Sequence, residues 1–323
     1  LRKMFNALSV DVEEYFQATV FNGDSPCEKW DSYESRVHSA TEKVLATLAR
    51  FDTKATFFVV GWVARRHPGL VKAIHNKGHE VACHSYAHQV ISKQTPDTFR
   101  KDLRFAKSIL EDITGEPVRG YRAPTFSITE DTLWALDILI EEGFHYDSSI
   151  FPIHHDRYGM PKAERFPNLI RRSNGYKMLE FPMSTLRLMG TNFPFAGGGY
   201  MRLLPVSFIS RAIERINGRG HPVILYVHPW EFDPHQPRLR APLMTAFRHY
   251  HNIGAMSRKF EYLVSKHEFA PVCEVLEGCP EAISAAVPQA HPDGTRHLAY
   301  NRGGRFSRPL QVPSVAKVSR GPV

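Results

Sequence analysis

Glu80-Val81-Ala82-Cys83-His84-Ser85-Tyr86-Ala87-His88 is a short apolar run that gives way to two histidines four residues apart. Imidazoles at i and i+4 reach one ion if the segment turns helical after a strand. Two histidines do not fill a coordination sphere, so a carboxylate must come from elsewhere. The best source is Asp11-Val12-Glu13-Glu14, at the end of the first strand-like run. In both stretches, residues fit for metal chemistry sit at the C-terminal end of a strand pattern, and that placement decides the fold.

Outward from there, strand patterns recur at 6–12, 55–60, 81–84, 119–122, 144–147, 179–183 and 222–228. Helical patterns stand between them. One follows Ser39 and Glu42, which have capping-box spacing. A second runs from 63 to 77 and stops at Gly78. A third starts at Thr95-Pro96 and ends near Gly115. Others cover 129–143, 205–217 and 256–267. This alternation predicts parallel βαβ units. Seven strand–helix pairs suit a barrel better than an open dinucleotide-binding sheet, and no GxGxxG follows a strand. Asp11, His84, Arg122, Asp147 and His228 all fall at predicted strand ends, the face that carries the active site in a β/α barrel. The fold expected is α/β, a distorted (β/α)7 TIM-like barrel over residues 1–276, with an extension after about 230. From 277 to 323 hydrophobic periodicity fades, and a disordered basic tail is expected.

The chain has 323 residues, a net charge of +8 and a mean hydropathy of -0.32. No apolar run approaches the length of a bilayer span. The cationic excess gathers at Arg296, Arg302, Arg305, Arg308, Lys317 and Arg320 without any nucleic-acid-binding motif, so no nucleic-acid partner is expected. Cys27, Cys83, Cys273 and Cys279 show no CxxC spacing, which argues against a zinc ribbon or a redox motif. A reducing compartment is the default. No signal-peptide pattern precedes the first strand, and the expectation is a cytoplasmic protein as the chain stands, with its N-terminus left open.

Five motifs in order resemble those of the NodB-homology polysaccharide deacetylases, carbohydrate esterase family 4: Ser9-Val10-Asp11-Val12, His84-Ser85-Tyr86-Ala87-His88, Arg122-Ala123-Pro124, Asp147-Ser148-Ser149 and Tyr226-Val227-His228. The resemblance implies a metal-dependent hydrolase that removes acetyl groups from N-acetylated sugars. One position departs from it. The family's usual metal-binding Asp follows the catalytic Asp directly, and here that place is Val12. Some members take the ligand two residues after the first Asp, and positions i and i+2 on a strand share a face. Glu13 is then the third ligand beside His84 and His88, with Glu14 behind it as the alternative. Asp-Val-Glu-Glu-Tyr-Phe at 11–16 and His-Pro-Trp-Glu-Phe-Asp-Pro at 228–234 are similar to a subgroup linked to exopolysaccharide loci.

The resemblance implies these roles: Asp11 as base, Arg122 holding it ionised, His228 as acid for the departing amine and Asp147 orienting that imidazole. A backbone N–H near Thr125 is expected as an oxyanion donor. Phe126, Tyr200 and Trp230 are candidates to stack on sugar rings, with core packing as the alternative for each. Zinc is the default ion, and cobalt, nickel or manganese fit the same ligands. Gly197-Gly198-Gly199 lacks the Lys-Ser/Thr of a P-loop and reads as a tight turn or a close backbone approach to a sugar. The substrate expected is an N-acetylated polysaccharide or its lipid-linked oligosaccharide precursor. The alternatives are a small-molecule amidohydrolase and a non-catalytic glycan-binding relative.

Overall fold

Side-chain alternation along short strands separates an inner layer from an outer one. The computed structural model describes residues 4–18, 21, 27–155 and 158–279. Its strands are β1 (Asn6–Val12), β2 (Thr56–Val59), β3 (Glu80–Cys83), β4 (Gly120–Tyr121), β5 (Tyr146–Asp147), β6 (Asn168–Arg171), β7 (Lys177–Glu180), β8 (Thr185–Leu188), β9 (Thr191–Pro194), β10 (Ile224–Val227) and β11 (Phe269–Ala270). Parallel pairing runs in the order β10-β1-β2-β3-β4-β5-β7, which are the seven strands anticipated. β6 adds to β7 in the antiparallel sense, β11 flanks the start of β1, and β8–β9 form a separate hairpin.

The curled sheet is not closed by a β7–β10 ladder. The chain between them bridges the gap instead: Ile224 N donates to Ser184 Oγ at 2.8 Å and Tyr226 N to the Ala196 carbonyl at 3.0 Å. The result is a distorted, partly open TIM-like barrel.

The helices are α1 (Val37–Arg50), α2 (Gly61–Arg66), α3 (Pro68–Asn76), α4 (Pro96–Thr114), α5 (Trp134–Glu141), α6 (Gly198–Leu203), α7 (Val206–Asn217), α8 (Leu243–Tyr250), α9 (Met256–Lys266) and α10 (Val272–Glu277). Leu8, Val10 and Val12 of β1 pack outward with Phe57, Val59, Val81 and Cys83 against α1 to α5, α7 and α9. Ala7, Phe58, Ala82, Tyr146, Ile224 and Tyr226 fill the inside. This parity turns Asp11 inward and explains Val12, a fully buried outer-layer residue.

Two local expectations change. The helix read across 63–77 breaks at His67-Pro68, since the Pro ring clashes with a continuing helix and Pro68 starts a new one. Ser39 and Glu42 do not cap α1. The helix starts at Val37, and the Glu14 carboxylate accepts from Arg36 N at 3.0 Å and from Ser35 Oγ. The basic tail expected from 277 falls, beyond Cys279, outside the described residues.

Candidate active site

β1, β3, β4 and β10 deliver Asp11, His84, Arg122 and His228 to one end of the barrel. Asp11, His84 and His228 line a cavity of about 180 Å³ together with Glu13, His88, Thr125, Phe126, Tyr158, Tyr226 and Trp230. A larger cavity of about 390 Å³ opens at the other end of the strands, around His79, Glu80 and Arg119. There Glu80 is tied to Thr56, Tyr146 and the Cys273 N–H, a polar plug with its bonds already made.

The histidine pair lies on a loop and not on a helical turn. His84 leaves β3 into a loop in which Ser85 and His88 take left-handed backbone angles, φ 60° and 49°. Asp102 of α4 fixes the loop by accepting from Tyr86 N at 2.8 Å and Ala87 N at 3.0 Å. The two rings meet at 5.1 Å. His84 Nδ1 lies 2.7 Å from the Arg122 carbonyl, which only accepts, so Nδ1 carries the proton and Nε2 is left with its lone pair. Burial, against the pull of Asp11, holds this imidazole down at about 4, in the neutral form a ligand needs.

Glu13 completes the group: its Oε2 is 2.6 Å from His88 Nε2, and donor atoms of Glu13, His84 and His88 all lie within 4.8 Å of one another. Burial would raise the Glu13 carboxyl, but His88 and His228 outweigh it and keep it ionised. His88 Nδ1 is buried with no hydrogen-bond partner. Two imidazoles, one ionised carboxylate and an orphaned ring nitrogen are a donor set suited to a divalent ion. Glu14 is occupied in capping α1 and takes no part.

Asp11 Oδ1 accepts from Arg122 Nη1 at 2.7 Å, and both are buried. Arg122 is immobilised by Ser9 Oγ, the Ser148 carbonyl and Ser148 Oγ, with its guanidinium 4.1 Å from the centre of the Phe58 ring. Thr125 (φ 57°) and Phe126 (φ 52°) form a left-handed turn on the wall.

Asp147 does not orient His228. It pairs in register with Tyr121 and Glu180, as Tyr121 does with Cys83, all on the sheet's outer face, while His228 projects inside. Its bonds go to Ser149, and burial pushes both Asp147 and Glu180 up, Glu180 well above its usual range. The residue that holds His228 is Glu231, whose Oε2 lies 3.2 Å from Nδ1 and accepts from the His228 backbone N at 3.0 Å. Arg202 Nε donates to the other oxygen at 2.8 Å. Burial would lower the His228 pKa, but Glu13 and Glu231 outweigh it and raise it to about 9.

Gly197 and Gly198 serve this clamp, while Gly199 lines the cavity. A Cβ on Gly198 would stand 1.9 Å from Glu231 Oε2, and one on Gly197 2.3 Å from Tyr226 Oη. Trp230 is no open stacking surface either. Its ring is sandwiched between His228 at 4.9 Å and His249 at 4.1 Å, and its Nε1 donates to Glu13 Oε1. Tyr200 packs edge-on against Phe151, while Tyr158 takes the place on the cavity wall. Glu231, Arg202, Tyr158 and His249 are site residues that sequence reasoning passed over.

Residues 29–139 match the family described as "Polysaccharide deacetylase", and residues 148–277 match "Domain of unknown function (DUF3473)". The first contains His84, His88 and Arg122; the second contains Arg202, His228 and Glu231. Among curated proteins, the Bacillus cereus peptidoglycan-N-acetylglucosamine deacetylase is 35% identical over 98 residues, 30% of this chain and 36% of the relative. The Listeria monocytogenes deacetylase PgdA is 40% identical over 74 residues, 23% of this chain and 16% of the relative. The chain thus spans 36% of the length of the first relative and 16% of the second. Among solved structures, a candidate polysaccharide deacetylase from Mycobacterium smegmatis superposes with a TM-score of 0.56 at 19% identity, covering 86% of this chain and 91% of the other. The PuuE allantoinase gives 0.52 at 17% identity, with 84% and 88% covered. At these identities the likeness is one of fold alone.

Proposed function

We propose that the chain is a member of the NodB-homology polysaccharide deacetylases, carbohydrate esterase family 4, and a metal-dependent hydrolase removing N-acetyl groups from a glycan. The observation that carries the reading is one cavity with three functions on its walls: the Glu13/His84/His88 donor group, the Asp11–Arg122 pair, and His228 clamped by Glu231. A divalent ion held by Glu13, His84 and His88 would supply Lewis-acid polarisation of the amide and an acidified water. Asp11, fixed by Arg122, takes a proton from the attacking water. His228, kept charged by Glu13 and Glu231, gives a proton to the amine that leaves. Thr125 lines the cavity on its left-handed turn, and in this reading its backbone N–H is the oxyanion donor.

The finer reading is zinc as the ion and exopolysaccharide biosynthesis as the setting, with an N-acetylated polysaccharide or a lipid-linked precursor as substrate. Its support is the donor set and the two stretches 11–16 and 228–234. Among the described residues no helix is long and apolar enough to cross a membrane.

Acetate release from N-acetylglucosamine oligomers, with metal content measured in parallel, tests the reading. His84→Ala should lose the ion, whereas Asp11→Asn should keep it and lose turnover. Full activity after exhaustive chelation overturns the mechanism. Turnover of small ureides, with none on the oligomers, replaces the substrate class.

A further inference from the structure

The helix that closes one side of the cavity turns an exposed apolar face outward. Three of the eleven exposed large hydrophobic side chains named among the described residues fall within the eight residues of α8: Leu243 at 91%, Met244 at 63% and Phe247 at 51%. Spaced i, i+1 and i+4, they share one side of the helix. The opposite side is anchored. His249 is buried on Trp230, and Arg202 donates to the carbonyls of Arg248, His249 and His251. The apolar face is therefore held outward by a fixed support.

Charge identifies what fits it. From 234 to 260 the chain carries Arg238, Arg240, Arg248, Arg258 and Lys259 and no Asp or Glu. Arg238, Arg240 and Arg248 are exposed beside the apolar face. A helix with an apolar side flanked by arginines is the pattern that settles into the headgroup layer of an anionic bilayer. The chain's own stretch from 280 to 323, with six Lys or Arg against two acids, has the same sign of charge and offers this face no complementary charge. A second copy related by a two-fold axis would set arginines against arginines.

We propose that α8 is a peripheral docking surface for an anionic lipid membrane, and that it brings the cavity mouth against the headgroup layer. Phe247 is followed directly by Arg248 and His249, both of which line the cavity. A saccharide carried on a lipid would then reach the site without leaving the membrane surface. That choice of substrate rests on the hydrolase reading above; the docking does not.

The test is co-sedimentation of the full chain with vesicles of phosphatidylglycerol and phosphatidylcholine, against phosphatidylcholine alone, at low and high salt. Binding to the anionic vesicles should weaken with salt. It should fall about tenfold or more in Leu243→Ser/Met244→Ser/Phe247→Ser, and about fivefold for each of Arg238→Gln and Arg240→Gln. Turnover of a soluble N-acetylated oligosaccharide should not change in the triple variant. Equal partition of wild type and triple variant, or none by either, overturns the proposal. So does self-association that the triple variant abolishes. Vesicle binding of the expected pattern in a protein that hydrolyses no glycan leaves the docking standing and removes the hydrolase reading.

Discussion

Replacing Glu231 by Gln separates this residue's charge from its shape. The buried carboxylate holds Arg202 Nε at 2.8 Å, His228 backbone N at 3.0 Å and His228 Nδ1 at 3.2 Å. A glutamine keeps an oxygen for Arg202 but turns its NH2 toward His228, so that donor meets donor. Two charge-assisted bonds are lost, each contributing about 1.5–3 kcal/mol. Arg202, 3% exposed, is left a buried cation with only carbonyls as partners. Removing one member of a buried pair costs about 3–5 kcal/mol, a range that overlaps the hydrogen-bond sum of about 3–6 kcal/mol. Urea unfolding followed by circular dichroism should show stability lower by that amount. Where the variant is still folded, kcat should drop about a hundredfold, the low end of a general acid's contribution. KM should change little, because the other cavity walls are untouched. Stability within about 1 kcal/mol of wild type together with undiminished kcat would refute the reasoning, since His228 would then be positioned without Glu231.

The two adjacent glutamates should separate cleanly. Glu13→Gln loses the ion, while Glu14→Gln retains it and lowers the melting stability by about 1–2 kcal/mol through the lost α1 cap, as metal analysis and thermal unfolding would show. Gly198→Ala drives a methyl into the Glu231 carboxylate and should cost about 1–3 kcal/mol by overpacking, together with activity; an unchanged melting curve contradicts the clamp. His79, held at about 4 by burial and by Lys54 and Lys77, accepts the Ala55 N–H on Nδ1. Its folded pKa lies below the unfolded value of about 6.5, so its contribution is complete above that pH and is lost as pH falls toward about 4. The loss is about 3 kcal/mol, and His79→Gln should flatten urea stability across this window.

Much of the barrel was legible because it rests on alternation. Seven parallel strands follow runs of inward and outward apolar residues, and helix α4 follows its Thr95-Pro96 start and its left-handed Gly115 stop. The β8–β9 hairpin was not, since its turn residues Met189 and Gly190, both at positive φ, lack the Asn-Gly or Asp-Gly signature. How the His84–His88 segment turns was not legible, because spacing alone does not reveal Asp102, eighteen residues past His84, which organises the loop. Asp147 was misassigned by counting strand ends without counting parity. Tyr146 faces the interior with Phe58 and Tyr226, so Asp147 could only face outward. Glu231 carried a readable signal in His228-Pro229-Trp230-Glu231, where Pro stands at the first helical position and Glu at the third, the geometry of a capping box.

That last point bears on whether Val12 marks a decayed site. On β1 the inward positions are Ala7, Ser9 and Asp11, and position 12 belongs to the outer core beside Val59 and Cys83. Glu13 N turns back onto the Asp11 carbonyl at 3.1 Å, which folds the next side chain inward toward His88. The third donor is thus shifted by one residue, and the shift is matched elsewhere. Trp230 donates to Glu13 from the segment that also supplies Glu231, and Gly198 leaves room for that carboxylate. A site that had merely lost a ligand would have no cause to keep Arg122 on Asp11 and Glu231 on His228, two buried ion pairs that are expensive to leave half-made. The Glu13 donor and the Glu231 clamp are therefore parts of one arrangement, joined through Trp230 and His228.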